Sequence, residues 1–140
     1  MKVKKVNRYY CDFCKKASCS GGHMKSHESH CTMNPNRICR MCHISDNTQA
    51  KMETLLSILP DPEMYRKTET FSGFQIFTGL EEAIEKVIPD LGRLTGDCPT
   101  CILAALRQKK IPILPIKCFD YPKECAAFFK DMNEERNNYY

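Results

Sequence analysis

Ten cysteines and four histidines are the residues of this 140-residue chain best suited to chemistry. Six of the cysteines form three C-x-x-C pairs: Cys11/Cys14, Cys39/Cys42 and Cys98/Cys101. All four histidines lie between residues 23 and 43. Two thiolates at this spacing bind one side of a tetrahedral ion, and a second pair of Cys or His donors completes the shell. The ligands therefore predict two zinc ions that form part of the fold.

The first predicted site has the pattern C-x(2)-C-x(12)-H-x(3)-C, formed by Cys11, Cys14, His27 and Cys31. Its two thiolates come from a hairpin, and its last two ligands, four residues apart, share one helix face. Met24 and Tyr9 fall where such a finger buries an apolar and an aromatic side chain. His23 and His30 remain alternative donors, but Cys31 is preferred because thiolate is the softer and stronger ligand.

Over residues 8–33 this pattern resembles the two-cysteine two-histidine zinc-finger family, in its two-cysteine, His, Cys variant. The resemblance implies a small ββα element around one zinc ion, although Ser18 stands where the family usually has Phe. In overall build the chain also resembles small zinc-finger proteins encoded by bacteriophages and bacteria. The motifs that carry this second resemblance are residues 27–31, 34–42 and 98–102. It implies a host-directed role, on nucleic acid or on a host or defence protein.

The two remaining C-x-x-C pairs predict a four-cysteine site formed by Cys39, Cys42, Cys98 and Cys101. Such a site would clasp residues 43–97 as a helical insertion, with the last two cysteines on the first turn of a helix. His43 is an alternative to one of these thiolates. Cys118 and Cys125 are interpreted instead as small buried apolar side chains.

The predicted fold is small, zinc-stabilised and mainly α: a basic ββα-like finger over residues 1–33, then a helical domain over residues 34–140 that the four-cysteine site closes. Apolar residues at helical spacing predict its helices. The first predicted helix begins at Ser45-Asp46 and ends at Pro60, and the second begins at Leu80 and ends at Pro89. The third is capped by Asp97, and the last begins at Pro122. Short extended segments are expected at residues 71–77 and, because of its prolines, at residues 111–116.

Charge is unevenly distributed around a net value of +4. Residues 1–45 hold nine Lys and Arg against two acidic residues, whereas residues 46–96 hold five against nine. A cationic metal-rich end suits a nucleic-acid backbone or an acidic protein surface. Lys and Arg that merely balance the negative charge of zinc thiolates would give the same composition, so both interpretations stay open.

Base readout by the finger is not expected. The helix positions that contact bases in DNA-reading fingers are Ser20, Gly22, His23 and Ser26 here, and none is the Arg, Asn or Gln that makes bidentate base contacts. Attachment to phosphates without base readout remains the leading prediction. The predicted nucleic-acid-binding residues are Lys4, Lys5, Arg8, Lys15, Lys16, Lys25, Arg37 and Arg40.

Other functions are weighed against this one. A ββα-metal nuclease could use Cys11, Cys14, Cys39 and Cys42 for a structural zinc, with His27 or His30 as general base. However, hard carboxylate ligands for Mg²⁺ are scarce beside the histidines.

A redox role for the third C-x-x-C pair is disfavoured, because no apolar strand precedes the pair. An interaction protein that binds a host or defence protein through Phe71, Phe74 and Phe77 competes with their burial in the core. The chain is expected to be a non-enzymatic, cytoplasmic protein without a membrane segment.

Overall fold

The computed structural model describes residues 1–68, 75–112 and 117–137. This part of the chain contains four short strands, one 3-10 turn and six helices, so the mainly α prediction is confirmed. The elements are β1 (Tyr9–Tyr10), β2 (Ala17–Ser18), α1 (Gly21–His30), α2 (Arg40–Ile44), α3 (Met52–Ile58), the 3-10 turn Pro62–Tyr65, β3 (Arg66–Thr68), β4 (Gln75–Phe77), α4 (Leu80–Thr95), α5 (Pro99–Gln108) and α6 (Tyr121–Asn137). Predictions made for Phe71, Phe74 and residues 113–116 lie outside the described residues.

The amino-terminal element is a small ββα unit. β1 pairs antiparallel with β2, and α1 follows, with Ser20 accepting a hydrogen bond from the backbone N–H of His23 as its cap. Met24 is buried on the inner face of α1, as the finger pattern predicts. Tyr9, the aromatic side chain expected to be buried, is instead 42% exposed, although its ring packs against Gly21. Apart from Met24 and the cysteine ligands, few apolar side chains are buried in this unit, which is typical of a unit organised by metal.

The body has its own hydrophobic core, centred on α5. Residues 101–106 of this helix are buried throughout, because its sequence is apolar on every side. Helices α3 and α4 pack against it and contribute the fully buried Leu55, Ile84 and Leu91. α5 also contacts α6, so it is the element that holds the body together.

The predicted opening of the first body helix at Ser45-Asp46 is wrong. Ser45 instead ends α2, with its hydroxyl donating to the carbonyl of Met41, and Asp46 follows at a φ of 58°. α3 begins only at Met52. The short helix α2 escaped prediction because it is specified by the Cys39–Cys42 knuckle and not by apolar periodicity.

Pro89 does not end α4, which continues to Thr95. The proline ring is on the exposed face, and the turns beyond it bury Leu91 and Thr95. This burial offsets the hydrogen bond that proline removes from the helix. α4 stops instead at Gly96, whose left-handed backbone is easily adopted by glycine.

The predicted cap of the third helix is also wrong by one residue. Asp97 has a φ of 59° and belongs to the turn after α4, where its N–H donates to the carbonyl of Gly92. Cys98 occupies the N-cap position, and Pro99 is the first helical residue, as expected. One backbone turn thus ends α4 and presents the third C-x-x-C pair at the start of α5.

Between α3 and β4 lie the 3-10 turn and β3, which pairs antiparallel with β4. Phe77 on β4 is half-buried against the body core, under the guanidinium of Arg66. Cys118 packs beside the same core, and Cys125 is half-buried, so the two are less enclosed than predicted.

Candidate metal centres

The four predicted ligands of the finger converge. The ligand atoms of Cys11, Cys14, His27 and Cys31 all lie within 4.8 Å of one another. The first two ligands come from the turn between β1 and β2, and the others from the end of α1 and the residue after it. Backbone N–H groups of Phe13 and Lys16 lie 3.4 Å from the first two sulfurs and donate to them. Such donors stabilise thiolates and orient them toward a metal.

The structure separates the alternative histidines from this cluster. Nε2 of His27 lies 3.2 Å from the Cys14 sulfur. The ring of His30, by contrast, is held by the carbonyl of Ile38, 2.7 Å from its Nδ1. His23 is exposed and its ring is not among the ligand atoms that converge in the cluster. Cys31 therefore completes the group in preference to either histidine.

The second cluster is the predicted four-cysteine clasp. Cys39 lies 3.6 Å from Cys98 and Cys42 lies 3.5 Å from Cys101, measured between sulfurs. All four side chains are at most 2% exposed. Cys39 and Cys98 are the N-cap residues of α2 and α5, and each partner lies in the first turn that follows. Two knuckles from distant parts of the chain thus face each other in a dry interior.

These dimensions fit zinc. With zinc–sulfur bonds of about 2.3 Å, a tetrahedral site has sulfurs separated by roughly 3.8 Å. The sulfur distances in the clasp match this edge, and all ten cysteines are free thiols. A donor set of seven thiolates and one imidazole is soft and suits zinc better than magnesium or calcium. The prediction of two zinc sites is confirmed by these two clusters.

Thiol ionisation in the clasp explains what the metal supplies. Hydrogen bonds from Cys101 and Cys98 hold the pKa of Cys39 far below its usual range. Hydrogen bonding within the cluster raises the pKa of Cys98 and Cys101, and burial raises that of Cys42 to about 12. The cluster by itself stabilises a single thiolate. Only a cation at its centre allows all four sulfurs to ionise together.

Arg37 is not available for the phosphate contact that its sequence position predicted. Its side chain is buried, at 4% exposure, and its Nη1 lies 3.7 Å from the Cys101 sulfur. Burial alone would lower the pKa of Arg37, but the hydrogen bond to Cys101 and the nearby Cys39 raise it. Linear sequence did not reveal this role, because nothing in the spacing places residue 37 beside residue 101. Arg37 offsets the negative charge that four thiolates leave around one zinc ion.

Replacement of this guanidinium tests that role. Arg37→Met keeps the apolar length of the side chain and removes its charge and its hydrogen bond to Cys101. We expect zinc affinity at the clasp to fall by about 10- to 100-fold, the usual effect of removing a partner of a metal ligand. Competition with a chromogenic chelator measures it. Arg40→Met, which changes an exposed arginine three residues further along the chain, is the matched control and should leave both zinc affinities unchanged.

Two further side chains fasten the clasp and were missed by sequence reasoning. Oε1 of Gln49 accepts from the Cys39 N–H at 2.7 Å, while its Nε2 donates to the Arg37 carbonyl at 2.8 Å. Asn47 donates to the carbonyl of Gly96, in the turn before Cys98. The two Gln49 bonds hold the Cys39–Cys42 knuckle in shape, and the Asn47 bond connects the segment after it to the turn that precedes Cys98.

The rival arrangements of these cysteines do not match the structure. The nuclease interpretation requires the first and second C-x-x-C pairs to share one ion, but they belong to different clusters. Of its two proposed general bases, His27 belongs to the finger cluster and the His30 ring contacts the carbonyl of Ile38. The redox interpretation requires an accessible pair at residues 98 and 101, and both are fully buried against the second pair.

The predicted basic residues other than Arg37 are exposed. They are Lys4, Lys5, Arg8, Lys15, Lys16, Lys25 and Arg40. Beside the finger helix lies a groove of about 670 Å³, to which Lys16 and Arg40 contribute. Arg107, from the last turn of α5, lines the same groove and was not predicted. Among the residues that the structure describes, no carboxylate lines the groove, but three finger ligands do: Cys14, His27 and Cys31.

Comparison with protein-family models, with curated proteins and with solved structures finds no match to this chain. The zinc-finger resemblance therefore depends on the ligand spacing and on the ββα-like element that carries it. Within the described residues, no helix combines the length and apolar character needed to cross a membrane.

Proposed function

We propose that this protein is a non-catalytic zinc protein that attaches to nucleic acid through its basic finger end, by phosphate contacts without base readout. The observation that supports it best is the set of exposed, unneutralised cations on and beside the finger. Residues 1–33 carry seven Lys and Arg against two acidic residues. One of these acids, Glu28, is already engaged, since its Oε1 accepts from the backbone N–H of Asp12.

Ion pairing elsewhere in the chain does not reduce this charge. In the part of the chain that the structure describes, ion pairs join Glu63 to Arg66, Asp90 to Arg93 and Asp120 to Lys123. All three lie outside the finger. Exposed cations that outnumber the acidic residues around them are the electrostatic footprint of a phosphate-binding surface.

The alternative role for these cations is to balance the negative charge of the zinc thiolates, and Arg37 performs it at the clasp. Arg37 contacts a clasp sulfur, whereas Lys4, Lys5 and Arg8 lie in an exposed amino-terminal arm. Backbone N–H groups supply the donors to the finger sulfurs. The exposed side chains are therefore left for a partner outside the molecule.

Binding should respond strongly to salt. We expect a labelled 20-nucleotide strand or duplex of random sequence to bind at about 50 mM salt and to weaken steeply by about 200 mM, because phosphate contacts release counterions. Fluorescence anisotropy measures both affinities. The triple variant Lys4→Gln/Lys5→Gln/Arg8→Gln should bind about tenfold more weakly and show a shallower salt slope.

The control is Lys86→Gln, an exposed cation on α4 in the acidic middle of the chain. It should bind like the parent. Absence of binding to either nucleic acid at low salt would remove the proposal. A salt-insensitive association with a host protein would instead favour the interaction-protein alternative.

A further inference from the structure

The groove beside the finger helix draws its positive charge from three separate parts of the chain. Lys16 comes from the finger hairpin, Arg40 from α2 and Arg107 from α5. Between them lie His23, Ser26, His30 and Thr32, and the finger ligands Cys14, His27 and Cys31. A zinc ion with three thiolates and a neutral imidazole has a net charge of about −1, which the three cations of the groove exceed. A concave surface lined by cations and hydroxyls, without a carboxylate, attracts a phosphate chain and concentrates the field inside the groove.

The finger is fixed against the body along one wall of this groove. Arg107 donates to the Thr32 hydroxyl at 3.0 Å, and Gln108 donates to the carbonyls of Thr32 and Asn34. The segment after the finger is held in turn, because Asn34 donates to the carbonyl of Glu28 at 2.8 Å. These bonds set the width of the groove, since α1 cannot swing away from α5 without breaking them.

This docking obstructs the way in which zinc fingers read duplex DNA. A reading finger inserts its helix into the major groove, about 12 Å wide, and needs the base-contacting face of that helix to be free. Here Ser26, one of the base-contacting positions, accepts a hydrogen bond from Arg40 at 3.2 Å. His23 and Ser26 both line the groove, whose other wall is formed by Arg40 and Arg107 of the body. A duplex that admitted this helix into its major groove would have to break the Arg40–Ser26 contact, whereas a single strand can lie along the groove with that contact intact.

We infer that the groove between the finger and the body binds a single-stranded nucleic acid, with Lys16, Arg40 and Arg107 contacting its phosphates. This inference rests on the proposed function and specifies its substrate. Duplexes then attach only through the exposed amino-terminal arm. Single strands use the arm and the groove together, so they bind more tightly than duplexes at equal salt.

The experiment compares a labelled 20-nucleotide oligothymidylate with a 20-base-pair duplex, using the full chain loaded with zinc. The groove variant is Lys16→Gln/Arg107→Gln. The first substitution leaves the backbone N–H of residue 16 on the Cys14 sulfur, and zinc content and circular dichroism confirm that the variant is folded. We expect the parent to prefer the single strand by about tenfold, and the variant to lose about tenfold for the strand and less than twofold for the duplex.

Each other outcome is decisive. Equal affinity of the parent for strand and duplex, or a groove variant that behaves like Lys86→Gln, overturns the inference while the proposed function stands. Absence of binding to both probes at low salt defeats the proposed function as well. Two single variants, Arg107→Gln and Arg107→Lys, test whether the positive charge at this position is what matters. Arg107→Lys keeps the charge and should recover most of the binding to the strand that Arg107→Gln loses. Failure to recover it would show that the Thr32 contact, and not a phosphate contact, was being measured.

Discussion

Complete removal of zinc should abolish the cooperative fold of this protein. The free energy of binding a structural zinc ion is about 10 to 16 kcal/mol in small zinc modules, as large as the whole stability of a typical domain. The finger has little besides Met24 to bury, and the body depends on the clasp to bring α2 against α5. We expect purified protein to contain two zinc ions per chain, matching the two clusters, and to lose its thermal transition after chelation.

Elemental analysis and circular dichroism melts measure this result. Addition of two equivalents of zinc under reducing conditions should restore the transition. A sharp, unchanged melt in protein from which metal has been stripped would contradict the proposed role of the clusters. A zinc content near one per chain would remove the clasp but leave the finger.

The two zinc sites should contribute unequally to stability. Cys11→Ser/Cys14→Ser removes the finger ion, and the body should still melt cooperatively because its apolar core lies elsewhere, around Leu55 and Leu106. Cys98→Ser/Cys101→Ser removes the clasp ion and leaves two buried hydroxyls where thiolates were needed. We expect this second change to cost several kcal/mol, about the largest effect available to a double substitution in the chain.

Each double variant should retain one zinc ion, and the clasp variant should lose the thermal transition of the body, which the finger variant should keep. Cys19→Ser is the matched control, since this cysteine is exposed and outside both clusters. It should keep two zinc ions and the parental melting temperature. Equal destabilisation by the finger and clasp variants would show that the two units fold as one.

Much of the metal chemistry was predictable because its signals are local. A C-x-x-C pair fixes two ligands within one knuckle, and a spacing of four positions from His27 to Cys31 places both at the end of one helix. The pairing of the second and third knuckles followed from ligand counting, since each needed two more donors. Met24 could be placed inside the finger for a similar reason: it precedes His27 by three residues on the same helix.

Features that depend on distant contacts were not predictable in this way. In the sequence Arg37 resembles the other surface cations, and only the fold, in which α5 brings Cys101 beside it, shows its contact with a ligand. Pro89 was expected to end a helix, because helix propensity depends on local sequence. It does not include the tertiary packing that buries Leu91 and Thr95 beyond the proline. Arg107 entered the groove only because α5 extends from the clasp to the finger, where it meets Thr32.

The wide separation of the clasp ligands has a consequence for biosynthesis. All four finger ligands leave the ribosome within a short stretch of chain, so that unit can capture its ion early. Cys39 and Cys42 must wait for partners 59 positions downstream. During that interval they are unprotected thiols in a nascent polypeptide, open to oxidation or to the wrong metal. Correct maturation therefore depends on a reducing, zinc-buffered environment throughout translation, and not only after release.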